Sequence, residues 1–190
     1  MNQSDVDTLL SPNWFWSQIV PENVLKCLDS DIEKLSANKI KGSFGIPGTA
    51  QRDDVIRNSD VLMLEPFHWF SGIMFNIALA SNSFSEWNFA VSTPEPTQIA
   101  FYGIDQHYTW HSDSALMTKN NLIRKLTTIC MLSDPSEYEG GKLEFEDIGE
   151  VELKKGDIIV FPSFTKHRVT PVTSGLRKTA TLWVSGNRSW

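Results

Sequence analysis

The hydrophobic period of the chain changes near its midpoint. In "VPENVLKCLDSDIEKLSA", Val24, Leu25, Leu28, Ile32 and Leu35 recur at steps of three and four, the spacing of one apolar stripe on a helix. Pro21 stands at the start, where a helix does not need the missing N–H. A second helix is predicted over "EPFHWFSGIMFNIALASNSF", with Phe67, Phe70, Met74, Ile77 and Ala78 on one side. Between the two, "KGSFGIPGTA" reads as a loop, with three Gly and one Pro in ten residues. "VIRNSDVLML" reads as extended.

Beyond about residue 87 the period shortens to that of strands. The runs are "NFAVST", "TQIAFYGI", "HYTWHSD", "LTTICML", "GKLEFED", "EVELKK", "DIIVFP", "HRVTPV" and "RKTATLWVS", separated by the turns "STPEP", "SDPSEYEGG", "KKGD" and "VTSG". Short strands punctuated this regularly predict a mainly β fold, a double-stranded β-helix of the jelly-roll or cupin-like kind. One domain over residues 1–190 is expected. Residues 1–90 would give helical and extended support against one sheet, and residues 91–190 the jelly-roll core.

Composition narrows the function. The formal net charge of −6 disfavours nucleic acid as a partner, because phosphate contacts need a Lys/Arg surplus. No run of apolar residues is long enough for a spanning helix, and the acidic N-terminus "MNQSDVDTLLSPNW" is unlike a signal peptide. Cys27 and Cys130, the only cysteines, are expected as two buried reduced thiols, which implies a cytoplasmic setting. No residue pattern specifies an oligomeric state.

The candidate chemistry lies in "HYTWHSDSAL", which places His107, His111 and Asp113 within seven positions of a chain with four histidines. A single His-x-Asp is expected by chance about a quarter of the time. The zinc-protease helix motif needs Glu directly after its first His, and Tyr108 stands there instead. On a strand, alternate residues share a face about 6.6 Å apart. His111 and Asp113 then reach one common atom, and His107 shares their face farther along. Two histidines with one carboxylate make the facial triad of non-haem iron oxygenases. The third ligand would come from His68, His107 or His167, and His167 is preferred because it follows the apolar strand "GDIIVFP".

Ten residues later, Arg177 opens "RKTATLWV". Alternation puts Arg177, Thr179, Thr181 and Trp183 on one face, and Lys178, Ala180, Leu182 and Val184 on the other. If the first set lines the barrel, a guanidinium enters a confined cavity and calls for an anion. A dicarboxylate ligand would supply it. Taken singly, each of these residues is ordinarily structural; their order along the chain is what argues for a site. Arg57, in "VIRNSDVL", is expected as an exposed structural residue, with contact to substrate the alternative.

"FYGIDQHYTWHSD", "RKLTTICMLSDPSEYEGGKLEF" and "KKGDIIVFPSFTKHRVTPVTSGLRKTATLWV" together resemble the Fe(II)- and 2-oxoglutarate-dependent dioxygenases, in their prolyl-4-hydroxylase-like branch. The resemblance spans residues 100–184. It implies that His111, Asp113 and His167 bind iron, and that Arg177, Tyr102 and Thr181 bind the cosubstrate. Some members carry a cosubstrate-binding Tyr near the position of Met131. The implied reaction consumes 2-oxoglutarate and O2, hydroxylates an unactivated C–H and releases succinate and CO2, with ascorbate as reductant. The implied acceptor is peptidyl proline; a free amino acid or other small molecule is the alternative, as is a metal-binding jelly-roll module without catalysis. Nucleobase repair is disfavoured, because oxygenases of that type carry a second Arg six residues on, where this chain has Trp183.

Overall fold

Alternation along the longest strands decides the architecture, because both of their faces are covered. The computed structural model describes residues 16–44, 50–65, 67–114 and 122–187. Numbered along the chain, the major sheet runs β1 (Trp16–Ile19), β12 (Asp157–Pro162), β8 (Leu122–Met131), β15 (Arg177–Asn187), β6 (Gln98–Tyr102), β4 (Asp60–Met63) and β2 (Ile40–Lys41), with β5 (Thr93–Pro94) also paired to β15. The minor sheet runs β11 (Gly149–Val151), β10 (Leu143–Phe145), β13 (His167–Val169), β7 (His107–His111) and β3 (Arg57–Asn58). A separate pair joins β9 (Tyr138–Gly140) to β14 (Val172–Gly175).

Helices α1 (Glu22–Leu35) and α2 (Trp69–Phe84) cover the outer face of the major sheet. Leu25, Leu28 and Ile32 of α1, with Phe70, Met74 and Ala78 of α2, share one core with Ile158, Val160, Ala180, Leu182 and Val184. The same strands use their other face between the sheets. There Ile129, Met131, Ile159 and Phe161 of the major sheet pack on Leu143 and Phe145 of the minor sheet. A strand buried on both faces reads as a continuous apolar run, which is how "DIIVFP" is written. The split of β15 is the expected one, with Ala180, Leu182 and Val184 toward the helices and Arg177, Thr179, Thr181 and Trp183 lining the space between sheets. Burying each such side chain stabilises the fold by roughly 1.5–3 kcal/mol.

Several expectations are corrected. Phe67 is 99% exposed, because α2 begins only after His68, whose ring caps it by accepting from the Phe70 N–H at 3.3 Å. Ile77 is half-buried, and Ser71 and Ser81 take buried positions beside Met74 and Ala78. "NFAVST" contributes a strand only at Thr93, the first residue of β5. "EYEGG" and "VTSG", which read as turns, contain the two strands β9 and β14 that pair with each other. Cys27 is exposed and only Cys130 is buried; burial pushes the Cys130 thiol up to about 12. Strand β1 has no counterpart in the expected elements. The leader reading on residues 1–14, part of the glycine loop at 45–49, and the last two residues of "HYTWHSDSAL" lie outside the described residues. No helix among the described residues is long and apolar enough to cross a membrane.

Candidate active site

The two sheets bring together residues far apart in the chain. β13 pairs with β7 so that His167 faces His111 across the ladder, with ring centroids 4.3 Å apart. Asp113 follows the end of β7, and its backbone N–H is tied to the Ser163 carbonyl at 2.8 Å. One ligand atom from each of His111, Asp113 and His167 lies within 4.8 Å of the others. The imidazole Nε2 atoms stand 3.7 Å and 3.6 Å from the two carboxylate oxygens, too far for hydrogen bonds and close enough to share one ion.

The backbone sets the tautomers. His111 Nδ1 donates to the Thr109 carbonyl at 2.7 Å and His167 Nδ1 to the Thr165 carbonyl at 3.0 Å, so both Nε2 atoms offer lone pairs inward. Burial, followed by the neighbouring His167, pushes His111 down to about 4, which keeps the ring neutral and fit to ligate. Burial alone would raise the Asp113 carboxyl, but His167, His111 and Arg124 hold it below its ordinary value. Thr127 on β8 donates its hydroxyl to Asp113 Oδ2 at 2.9 Å and lies 3.0 Å from Ser163 Oγ, which fixes the rotation of the carboxylate. Phe161 and Phe145 flank His167, with ring centroids 5.0 Å and 5.8 Å away.

His107 does not join this group; its ring makes contacts of 3.1 Å with the Asp105 and Val55 carbonyls. The register explains why. Two steps on β13, from His167 to Val169, match three on β7, from His111 to Tyr108, so one residue bulges out. The extra residue reverses the alternation, and Tyr108 takes the inward face that strict alternation gives to His107. The Tyr108 ring stacks on His111 at 3.5 Å, 14° from parallel. Burial raises its phenol pKa well above the ordinary value, so it stays protonated. His68, the other candidate ligand, is the cap of α2 and sits 3.4 Å from Asp31.

Arg177 opens β15 and pairs in register with Tyr102 on β6. Its guanidinium lies over the Tyr102 ring at 5.5 Å, it is 1% exposed, and its Nε has no hydrogen-bond partner. Among the described residues no carboxylate pairs with it. Burial works against its charge, opposed by Tyr102 and Tyr138. Gly141, at φ +56°, makes the room: a Cβ there would stand 2.8 Å from Arg177 Cδ. Thr181 is buried on the same inward face and lines the same cavity. Met131 carries no hydroxyl, but the Tyr138 hydroxyl of β9 lies 4.0 Å from its sulfur and beside the Arg177 guanidinium. Sequence reasoning passed over Thr127, Tyr108 and Tyr138. The alternation Thr127, Ile129, Met131 on β8 was a signal for the first.

The donor set is two imidazoles and a carboxylate on one side of a cavity, with an uncompensated guanidinium on the other. That combination suits Fe(II) and a dicarboxylate. Residues 97–185 match the model of the 2OG-Fe(II) oxygenase superfamily. That match takes in a little under half of the chain. This part of the chain is 41% identical over 83 residues to a PKHD-type hydroxylase of Teredinibacter turnerae, covering 40% of this chain and 37% of that protein. It is 37% identical over 100 residues to one of Xylella fastidiosa, covering 47% and 44%. The chain thus spans about two fifths of the length of these relatives. The fold of the whole chain is similar to a Pseudomonas putida prolyl-4-hydroxylase, with TM-score 0.69, 18% identity and 96% of each chain covered. It is also similar to a Trichoplax adhaerens prolyl hydroxylase in complex with a peptide fragment, with TM-score 0.71, 13% identity, and 97% and 93% covered.

Proposed function

We propose that the protein is a 2-oxoglutarate-dependent hydroxylase of the prolyl-4-hydroxylase-like kind, a single domain over residues 1–190. In this reading Fe(II) is held by His111, Asp113 and His167, and 2-oxoglutarate by Arg177 with Tyr102 and Thr181. The observation that carries it is the convergence of those three ligand atoms within 4.8 Å, across a cavity from a buried guanidinium with an unpartnered Nε. When bound, iron and 2-oxoglutarate supply the oxidising chemistry: dioxygen gives one oxygen atom to a C–H and the other to succinate, with loss of CO2.

The chain's own residues bind, orient and exclude water. The Thr109 and Thr165 carbonyls hold both imidazoles with Nε2 inward, and Thr127 fixes the carboxylate. Arg177 offers a planar, paired set of donors to the far carboxylate of the cosubstrate. Phe145 and Phe161 keep water from His167. No protein general base is required for attack on a C–H. Peptidyl proline is the leading acceptor, supported by the prolyl hydroxylases that share the fold, and ascorbate the natural reductant. The free thiols agree with a cytoplasmic setting.

The test is purified protein with Fe(II), ascorbate and 2-oxoglutarate, offered prolyl peptides and free amino acids. Succinate should form in step with a product one oxygen atom heavier. In the absence of oxygen, 2-oxoglutarate should produce a weak visible band in the Fe(II) protein. No band and no succinate with any acceptor would remove the oxygenase reading.

A further inference from the structure

A second buried guanidinium stands outside the cosubstrate end of the cavity. Arg57, expected as a surface residue, is 5% exposed. Its Nε donates to Ser59 Oγ at 3.1 Å and one terminal nitrogen to the Ser43 carbonyl at 2.7 Å. Its guanidinium lies 4.8 Å from the centroid of the Tyr108 ring. Both bonded acceptors are neutral, and no carboxylate among the described residues pairs with it. A buried charge without a counter-charge is costly. The backbone nevertheless makes room for this one, since a Cβ at Gly42 would stand 2.9 Å from Arg57 Nε and collide with Ser59 Oγ.

Position separates Arg57 from Arg177. Both line the cavity that holds His111, Asp113 and His167. Only Arg57 also lines the cleft that continues from it past Asp113, Tyr108 and Trp183. That cleft contains a second cation, Arg124, but it is already matched: Glu95 accepts two of its hydrogen bonds, at 2.7 Å and 2.6 Å, and its guanidinium lies 3.9 Å from the centroid of Trp183. Among the described residues, Arg57 is therefore the cleft cation whose charge is left unmatched.

We propose that Arg57 selects the acceptor: the molecule hydroxylated carries a carboxylate that pairs with Arg57 while its reacting carbon faces Asp113. This rests on the oxygenase reading above. The carboxylate belongs to a free amino acid or to the end of a short peptide, and the two sources are separable.

The experiment is titration calorimetry on the full chain loaded with Mn(II) and saturating 2-oxoglutarate, so that Arg177 is occupied and its grip on an acid is not read as that of Arg57. The probes are L-proline against L-prolinamide, and acetyl-Gly-Pro against its amide. One acid should bind about tenfold or more tighter than its amide, the usual size of a charged hydrogen bond, and the pair in which this occurs names the source. In Arg57→Gln the preference should shrink to about twofold or less, with Arg57→Lys restoring part of it and the affinity for 2-oxoglutarate unchanged. Acids that bind no better than their amides in the wild type overturn the proposal without any need for a variant, and so does an Arg57→Gln protein that keeps the preference. If 2-oxoglutarate fails to bind, the oxygenase reading falls separately. The same acid–amide pairs titrated on Arg177→Gln protein then still decide Arg57.

Discussion

Arg177 and Arg57 are built alike and anchored differently. Each is buried, lies near a tyrosine ring and fits where a glycine leaves space: Tyr102 and Gly141 for Arg177, Tyr108 and Gly42 for Arg57. Arg177 opens an eleven-residue strand paired on both sides and leaves its Nε unsatisfied. Arg57 sits on a two-residue edge strand, already tied to Ser59 and the Ser43 carbonyl. A rigid guanidinium with a free Nε donor suits one invariant diacid. A guanidinium on a sheet edge, partly committed to its own loop, suits an acceptor that other surfaces help to choose. The comparison predicts that damage on the two sides will separate kinetically.

The largest effect should come from neither arginine but from the group between them. Asp113→Ala removes the only carboxylate of the cluster and should abolish succinate release while weakening Fe(II) binding, read by metal titration. Turnover that survives would move the metal elsewhere. Next, Arg177→Gln should raise the KM for 2-oxoglutarate by about ten- to a hundredfold, the range of a lost charged hydrogen bond, with a smaller change in KM for the acceptor. An unchanged cosubstrate KM would take Arg177 out of the site.

The glycines sharpen the contrast without touching either charge. Gly141→Ala places a methyl 2.8 Å from Arg177 Cδ at a backbone φ of +56°, where an L side chain is strained by roughly 1–2 kcal/mol. It should lower the melting temperature by several degrees and raise KM for 2-oxoglutarate several-fold. Gly42→Ala should leave that KM alone and raise KM for the acceptor. The same KM moving in both variants would mean that the two guanidiniums serve one subsite.

How much of this was legible depends on how regular each strand is. In β15 the long alternation and two apolar neighbourhoods allow one assignment of faces, so Arg177, Thr181 and Trp183 read as inward from their spacing alone. β7 resists the same reasoning. Its one-residue bulge carries no local signature, and it exchanges Tyr108 for His107 on the face of the site. β9 and β14 are written in turn residues because Gly140 and Gly175 take φ of +72° and +76°, yet they pair with each other over a long range that no local pattern encodes. The exposure of Cys27 was readable, since it falls off the stripe of Leu25, Leu28 and Ile32. The burial of Arg57 was not, because the space for it is made by Gly42, fifteen residues upstream in a loop.

The smallest expected effect tests the carboxylate's own support. Thr127→Val keeps the volume and the β-branch but deletes the hydroxyl that donates to Asp113 Oδ2 at 2.9 Å. Asp113 keeps its backbone tether to Ser163, so the carboxylate stays in the cluster and loses only its fixed rotation. Partners that orient a metal ligand in this way are worth about ten- to a hundredfold in metal affinity when removed, and the low end applies where a tether remains. Fe(II) affinity should therefore fall about tenfold, while KM for 2-oxoglutarate, set by Arg177 across the cavity, stays put. Metal titration beside steady-state kinetics separates the two quantities. If the cosubstrate KM rises together with the loss of metal, the metal and guanidinium ends of the cavity respond as one unit, and the separation drawn between them from β8 and β15 does not hold.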